Sequence, residues 1–439
     1  MENDPHFLLL RGVKSILRSD KADVVQAIAH YVVSQHRSLR VLSAMIERTR
    51  DTPVPGVITL IGWLRSYLTV RSGDCCEGAV WIARLGNERR AIEKLIPLAP
   101  ELGWTELRFG SRPNAAGFSI LARNLRRWAR GQARPYKSLR TVFRIARLLH
   151  RRHEFFKVLR VVELIGYYMR YREMFQNASF DLALMSSHSN PHAIAFNLAA
   201  RRYCVPTVLI THGMPVRPVA KLSFELAVVH CEAARQTYQE EGCRLDHVLI
   251  HGRRQDNAAM PVGWPSRGLV VGIFLCKDVN EERLQALVDR LADDPRVSHF
   301  LIRPHPKNLW LGLDAWIASR RELRVRRSFS GSVFRDIQDS HIVLGGNSSV
   351  LIDAVTAGRP SGYVPSLDHG DPDLHAFVAR GLIYPINQDL GFDLDEMQRF
   401  YQRPGWSTVL RLFANVDEDS ESVSRRAVDI MGELAAPQR

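Results

Sequence analysis

From residue 78 onward the apolar positions follow two patterns in turn. Short unbroken apolar runs suit strands buried on both faces, and stretches with an apolar residue every third or fourth position suit one face of a helix. Runs at 79–85, 106–109, 182–186, 206–211, 225–230 and 247–251 predict strands, while helical spacing at 87–102, 192–203 and 233–241 predicts helices between them. Strand and helix alternating in this way build an open, mostly parallel sheet with helices on its faces.

The alternation lapses between Gly252 and Gly268, where Pro261, Gly263 and Trp264-Pro265 supply linker chemistry. It then begins again. Strands are predicted over 269–275, 297–302, 341–344 and 361–364, with helices over 280–292, 314–320, 333–337 and 349–357. A last helical stretch, 406–439, is expected to cross back onto the first unit. Residues 1–75 read as helices throughout. The predicted fold class is α/β: two Rossmann-like domains, 76–260 and 261–405, facing a cleft, with an N-terminal helical appendage.

The chain is 439 residues long and 46% apolar, enough for two or three domains with sizeable cores. Its net charge of +14 is unevenly placed: Arg108 to Arg172 holds seventeen Arg or Lys against two acids, Glu154 and Glu163. Lys137, Arg140, Arg144, Arg147 and Arg151 fall on one helical stripe, with Leu139, Val142, Phe143, Ala146 and Leu149 on the other. The basic helices therefore read as an insertion at 112–177 in the first domain. Aromatics follow at Phe155, Phe156, Tyr167, Tyr168 and Tyr171. A solvated helix face would need no partner, but so large an excess points to an anionic one. The expectation is an anionic membrane surface, met by residues 112–172.

No zinc finger, RNA-recognition aromatic motif or helix-turn-helix accompanies that charge, so nucleic acid is not an expected partner. The six cysteines, at 75, 76, 204, 231, 243 and 276, show no metal-ligand spacing and read as reduced thiols. No metal and no cofactor is expected. No apolar stretch is long enough to span a bilayer and no signal-peptide layout is evident, so the expected location is the cytoplasm, with peripheral attachment at the inner face of the membrane.

Two short runs carry the chemistry. Arg303-Pro304-His305-Pro306 closes one predicted strand, placing an imidazole at a carboxyl strand end. Gly345-Gly346-Asn347-Ser348-Ser349 follows another and opens a helix whose first N–H groups and positive dipole end favour an anion. Either run alone is as often a plain turn or helix cap. Together, in consecutive strand–helix units, they form two halves of one phosphate cradle: Arg303, His305, Lys307, Gly346, Asn347, Ser348 and Ser349. Asp353 lies one turn beyond Ser349, where a carboxylate reaches ribose hydroxyls. In the first domain, His212 ends a predicted strand and is the first choice for a catalytic base, with a turn-capping role as the plain alternative. His188, Asn190 and His192, at the end of the preceding strand, are candidates for acceptor binding, or else form a helix cap.

Thr211-His212-Gly213, then Arg303-Pro304-His305-Pro306, then Ser348-Ser349 with Asp353 and Gly358-Arg359-Pro360, resemble GT-B enzymes that build bacterial capsules, lipopolysaccharide and teichoic acids. Teichoic acid polyol-phosphate transferases are most similar in motif, and sialyl- and polysialyltransferases share the His-Pro and paired-Ser pattern. The resemblance covers roughly the last 260 residues. It implies a metal-independent transferase in which 76–260 binds the acceptor and 261–405 the nucleotide-activated donor. His305 and the paired serines would contact the donor's phosphate and Asp353 its ribose, with His212 and His305 as the catalytic histidines. Asp353, where many sugar-nucleotide enzymes carry Glu, tilts the implied donor toward cytidine, with uridine as the alternative. The implied acceptor is a polysaccharide or lipid-linked chain. Competing readings are a UDP-sugar 2-epimerase and, on charge alone, a nucleic-acid-binding protein.

Overall fold

The computed structural model describes residues 61–71, 77–109, 155–252 and 262–436, apart from 64, 68, 264, 266, 277, 307–309, 311, 329–330, 370–371, 388–391 and 415–418. The first unit contains β1 (Val70–Arg71), β2 (Glu77–Ile82), α1 (Gly86–Glu93), β3 (Thr105–Phe109), α2 (Phe155–Asn177) and β4 (Ser179–Met185). It continues with α3 (Pro191–Arg202), β5 (Thr207–Ile210), β6 (Ser223–Val229), α4 (Glu232–Glu240) and β7 (Arg244–Ile250). These strands make one seven-stranded sheet in the order β1-β3-β2-β4-β5-β6-β7, parallel except where β1 pairs with β3.

The second unit runs β8 (Leu269–Phe274), α5 (Glu281–Ala292), β9 (Val297–Arg303), α6 (Leu313–Ser319), β10 (Val325–Arg327), α7 (Val333–Asp339), β11 (Ile342–Gly345), α8 (Val350–Thr356), β12 (Ser361–Tyr363) and β13 (Tyr384–Pro385). Its six strands are all parallel, in the order β10-β9-β8-β11-β12-β13. Every residue of β5 and of β8 is buried, as expected for parallel strands covered on both faces. Two open parallel sheets with flanking helices are the α/β class the alternation predicts.

Local chemistry shifts several boundaries. The predicted helix 87–102 ends at Glu93, and Pro97 and Pro100 turn the remainder into two short 3₁₀ segments, Ile96–Leu98 and Pro100–Leu102. The terminal helical stretch is two helices, α10 (Trp406–Phe413) and α11 (Ser420–Ala435), preceded by α9 (Leu394–Gln402). Asp419 caps α11 by accepting from the N–H groups of Glu421 and Ser422.

α11 packs on the first sheet. Val423, Ala427 and Met431 are fully buried beside Leu182, Leu184, Val208 and Leu226. Side chains of the Val423 and Met431 type contribute about 1.5–3 kcal/mol each when removed from water. The two units also meet directly. Arg380 donates to Gln236 Oε1 at 2.8 Å and to Glu240 Oε2 at 2.9 Å, and Arg217 pairs with the same Glu240. The Arg217 N–H donates to the Leu374 carbonyl at 3.2 Å.

Candidate functional site

Both sheets reverse their strand order at one point: the second between β8 and β11, the first between β2 and β4. Helices leave the sheet on opposite sides there, opening a crevice at the carboxyl strand ends. In the second unit the register pairs Gly345 with Phe274, so the Gly346–Ser349 turn lies at the mouth of that crevice. Strand β9, which leads to His305, is the next neighbour of β8.

The turn is held from outside itself. Asn347 donates through its backbone N–H to Asp368 Oδ2 at 2.7 Å and through Nδ2 to Asp368 Oδ1 at 3.0 Å. Its own Oδ1 accepts from the Leu374 N–H at 2.9 Å. Asp368 is 9% exposed and lies so close beneath Gly346 that a Cβ there would come within 2.2 Å of Oδ2. The glycine is therefore required by packing. Asp368 thus directs its carboxylate into this clamp. Burial, aided by the nearby Asp368 carboxylate, pushes the Cys276 thiol well up, leaving it inert.

Ser348 Oγ accepts from the Val350 N–H at 3.3 Å, and Ser349 is the N-cap of α8 without a side-chain cap bond. Asp353 is half-buried in the first turn of α8. His305 is exposed just past the end of β9. Arg303 stands at the same strand end, but its guanidinium pairs with Asp336 of α7 and donates to the Ser332 carbonyl at 3.2 Å. Asp336 also accepts from Ser328 Oγ at 2.6 Å, so Arg303 braces α7 against the strand. Lys307 lies outside the described residues.

In the first unit His212 follows β5. The strand end is anchored by Thr211, whose N–H and hydroxyl both donate to the Val228 carbonyl, at 2.9 and 3.3 Å. The His212 Nδ1 lies 2.7 Å from the Ser186 carbonyl and 3.1 Å from Ser186 Oγ. A carbonyl only accepts, so Nδ1 carries the proton and Nε2 of the neutral ring carries the lone pair. Beyond His212 the chain runs onto the second unit, where His375 Nδ1 donates to the Pro215 carbonyl at 3.4 Å. Adjacent Leu374 is the residue bonded to Asn347, so the His212 loop and the Asn347 turn rest on one segment.

The three acceptor candidates diverge. The His188 Nδ1 shares a hydrogen bond with the buried Tyr238 hydroxyl at 2.7 Å, and Asn190 Nδ2 donates to Ser187 Oγ at 3.0 Å. His192 is 1% exposed and packs edge-on against Phe109 and Tyr167, with ring centroids 5.0 and 6.0 Å away. Burial, with a smaller push from Arg84 and Arg160, drives its pKa down to about 3, so it is a neutral core imidazole closed to solvent. Tyr167, Tyr168 and Tyr171, read as membrane-facing, are likewise buried, because α2 packs along α3. The cationic stripe 137–151 lies outside the described residues. Among the described residues no helix is long and apolar enough to cross a membrane.

Sequence reasoning missed a cavity of about 340 Å³ between α1, the carboxyl ends of β5 to β7, and α11. Its polar lining includes Arg90, Lys94, His212, His230, His251 and Ser424. His251 Nε2 shares a hydrogen bond with Ser420 Oγ at 2.7 Å, tying the start of α11 to the strand end. These residues come from distant parts of the chain; apart from His212, singled out above, the local signal is the i, i+4 spacing of Arg90 and Lys94.

No protein-family profile matches the chain, and no curated protein matches it significantly. Solved structures similar to it include the UDP-GlcNAc 2-epimerase from Neisseria meningitidis bound to UDP-GlcNAc: 13% identity, 81% of this chain and 99% of that one, TM-score 0.42. MurG from Acinetobacter baumannii shows 13% identity over 81% of this chain and 99% of its own, at 0.40. CalG4, the calicheamicin glycosyltransferase, shows 13% over 82% and 99%, at 0.47.

Proposed function

We propose that the chain is a GT-B glycosyltransferase, or polyol-phosphate transferase, acting from a nucleotide-activated donor onto a hydroxyl of a bacterial surface polysaccharide. The observation that carries the reading is the clamped Gly346–Ser349 turn at the strand-order reversal of the second sheet, where open α/β sheets bind nucleotides. In this reading the donor's phosphate lies on the turn, with the Ser348 and Ser349 hydroxyls, the first N–H groups of α8 and the His305 imidazole neutralising its charge. Asp353 takes the ribose hydroxyls.

His212 Nε2 accepts the acceptor's hydroxyl proton as that oxygen bonds to the transferred carbon or phosphorus. The bond from the transferred group to the nucleotide's phosphate oxygen breaks, and its electron pair leaves with the phosphate. A positioned base of this kind contributes about 10²- to 10⁴-fold.

A thermal-shift screen of CMP, CDP, UDP, GDP and their sugars, on wild type and His305→Ala, tests the reading. A cytidine or uridine response lost in the variant supports it and names the donor base. No response to any nucleotide removes it, and turnover of a UDP-sugar with no acceptor present would indicate an epimerase instead.

A further inference from the structure

We propose that the cavity between α1 and α11 is the acceptor pocket, and that the acceptor carries an oxyanion, phosphate or carboxylate, close to its reacting hydroxyl. The assignment of acceptor rests on the transferase reading above; the preference for an anion rests on the cavity itself. His212 lines this cavity, so a molecule held there lies beside the proposed base.

The lining is one-sided in charge. It contains the Arg90 guanidinium, the Lys94 ammonium and three imidazoles, and no Asp or Glu. Asn87, Arg90 and Lys94 recur at helical spacing and present one face of α1 to the cavity. The acids of α1 and β3 are engaged elsewhere. Glu88 folds back on the helix start, accepting from the Arg84 and Leu85 N–H groups at 2.7 and 3.0 Å. Glu93 pairs with Arg89 at 3.7 Å, and Glu106 with Arg89 and Arg108. Among the described residues, neither Arg90 nor Lys94 makes an ion pair.

The cationic field reaches the far wall. His251 is shifted down, chiefly by burial, which the hydrogen bond to the Gly252 carbonyl opposes, with a smaller push from Lys94. A neutral sugar would leave these cations uncompensated, whereas a phosphate or carboxylate pairs them through charge-assisted hydrogen bonds. At about 340 Å³ the space lies at the small end of ligand sites, the scale of one sugar unit and its charged substituent. This is a second anion site, distinct from the donor cradle, which belongs to the other sheet.

Calorimetric titration of glycerol 3-phosphate, glucuronate, glycerol and glucose tests this on wild type, Arg90→Ala/Lys94→Ala and His305→Ala. Arg90 and Lys94 are exposed on α1, and equal thermal midpoints would confirm that the double variant folds. The expected result is saturable binding of one or both anions, weakened at least about tenfold in the double variant, unchanged in His305→Ala, and no comparable binding of the neutral compounds. The anion that binds names the group. An NMR titration of His251 should show its pKa rising when that anion is present. Equal anion binding by the double variant, loss confined to His305→Ala, binding of glucose as tight as glucuronate, or no saturable anion binding would each overturn the proposal. Nucleotide binding without anion binding removes the anionic pocket and leaves the transferase; anion binding without any nucleotide response does the reverse.

Discussion

The carbonyl oxygen of Ser186 and Nδ1 of His212 stand 2.7 Å apart, each at the carboxyl end of its own strand in the first sheet. A backbone carbonyl cannot rotate away or ionise, so this contact fixes both the tautomer and the plane of the imidazole. Replacing His212 by Gln keeps a donor to the carbonyl but removes the basic nitrogen. His212→Gln should lower kcat by about 10²- to 10⁴-fold with unchanged nucleotide affinity, measured by steady-state kinetics beside direct nucleotide titration. A normal kcat would show that the base lies elsewhere.

Gly346 and Asp368 should behave as one unit. Gly346→Ala drives a methyl group against the Asp368 carboxylate and should weaken nucleotide binding at least about tenfold, at a stability cost of about 1–3 kcal/mol. Asp368→Ala removes the obstacle and the clamp together. The double variant should be less impaired than the sum of the single ones, and a thermodynamic cycle on nucleotide affinity measures the coupling. Strict additivity would mean that the turn does not depend on that carboxylate.

His192 predicts an acid sensitivity with a definite sign. Its pKa is pushed down to about 3 in the folded chain, whereas an exposed imidazole titrates near about 6.5. Below that value the unfolded chain takes up a proton that the folded chain refuses, so stability is full above about pH 6.5 and falls as the pH drops toward 3. From about pH 7 to about pH 5 this one group should cost about 2 kcal/mol. Urea unfolding at both values, on wild type and His192→Phe, checks it: the variant should lose less stability by about that amount.

Arg380 bridges the units through Gln236 and Glu240, and Arg217 pairs with the same Glu240 carboxylate. Glu240 is 51% exposed, so the ion pairs themselves are worth at most about 1 kcal/mol. Arg380→Ala should therefore leave nucleotide affinity alone while raising the acceptor KM, because it loosens the docking of one unit on the other. Kinetics at saturating donor would show the effect, and an unchanged acceptor KM would remove it.

The alternation that defines both sheets is readable because β8, for instance, is an unbroken apolar run and α5 carries Leu284, Leu287, Val288 and Leu291 at helical spacing. β10 and β13 escape such a reading because three and two residues hold no period. α9 is equally periodic: Leu394, Met397 and Tyr401 are spaced as one face, and Asp393 caps it. Site chemistry was legible only where it was local. The Gly346–Ser349 turn stands out in the sequence, but the carboxylate that locks it lies 21 residues away. Arg303 looks like a phosphate ligand until Asp336, 33 residues on, claims its guanidinium. His192 looks polar at the start of its helix, and its aromatic cage arrives from two other elements.

The placement of α11 also has a consequence for how the protein is made. Every strand of the first sheet leaves the ribosome long before Ser420 to Ala435 are translated, so Leu182, Val208 and Leu226 must wait with an open apolar face while the second unit is synthesised. That face is where a nascent-chain chaperone would be needed. For the same reason the first unit expressed alone, cut after β7, should aggregate unless α11 is supplied as a separate peptide.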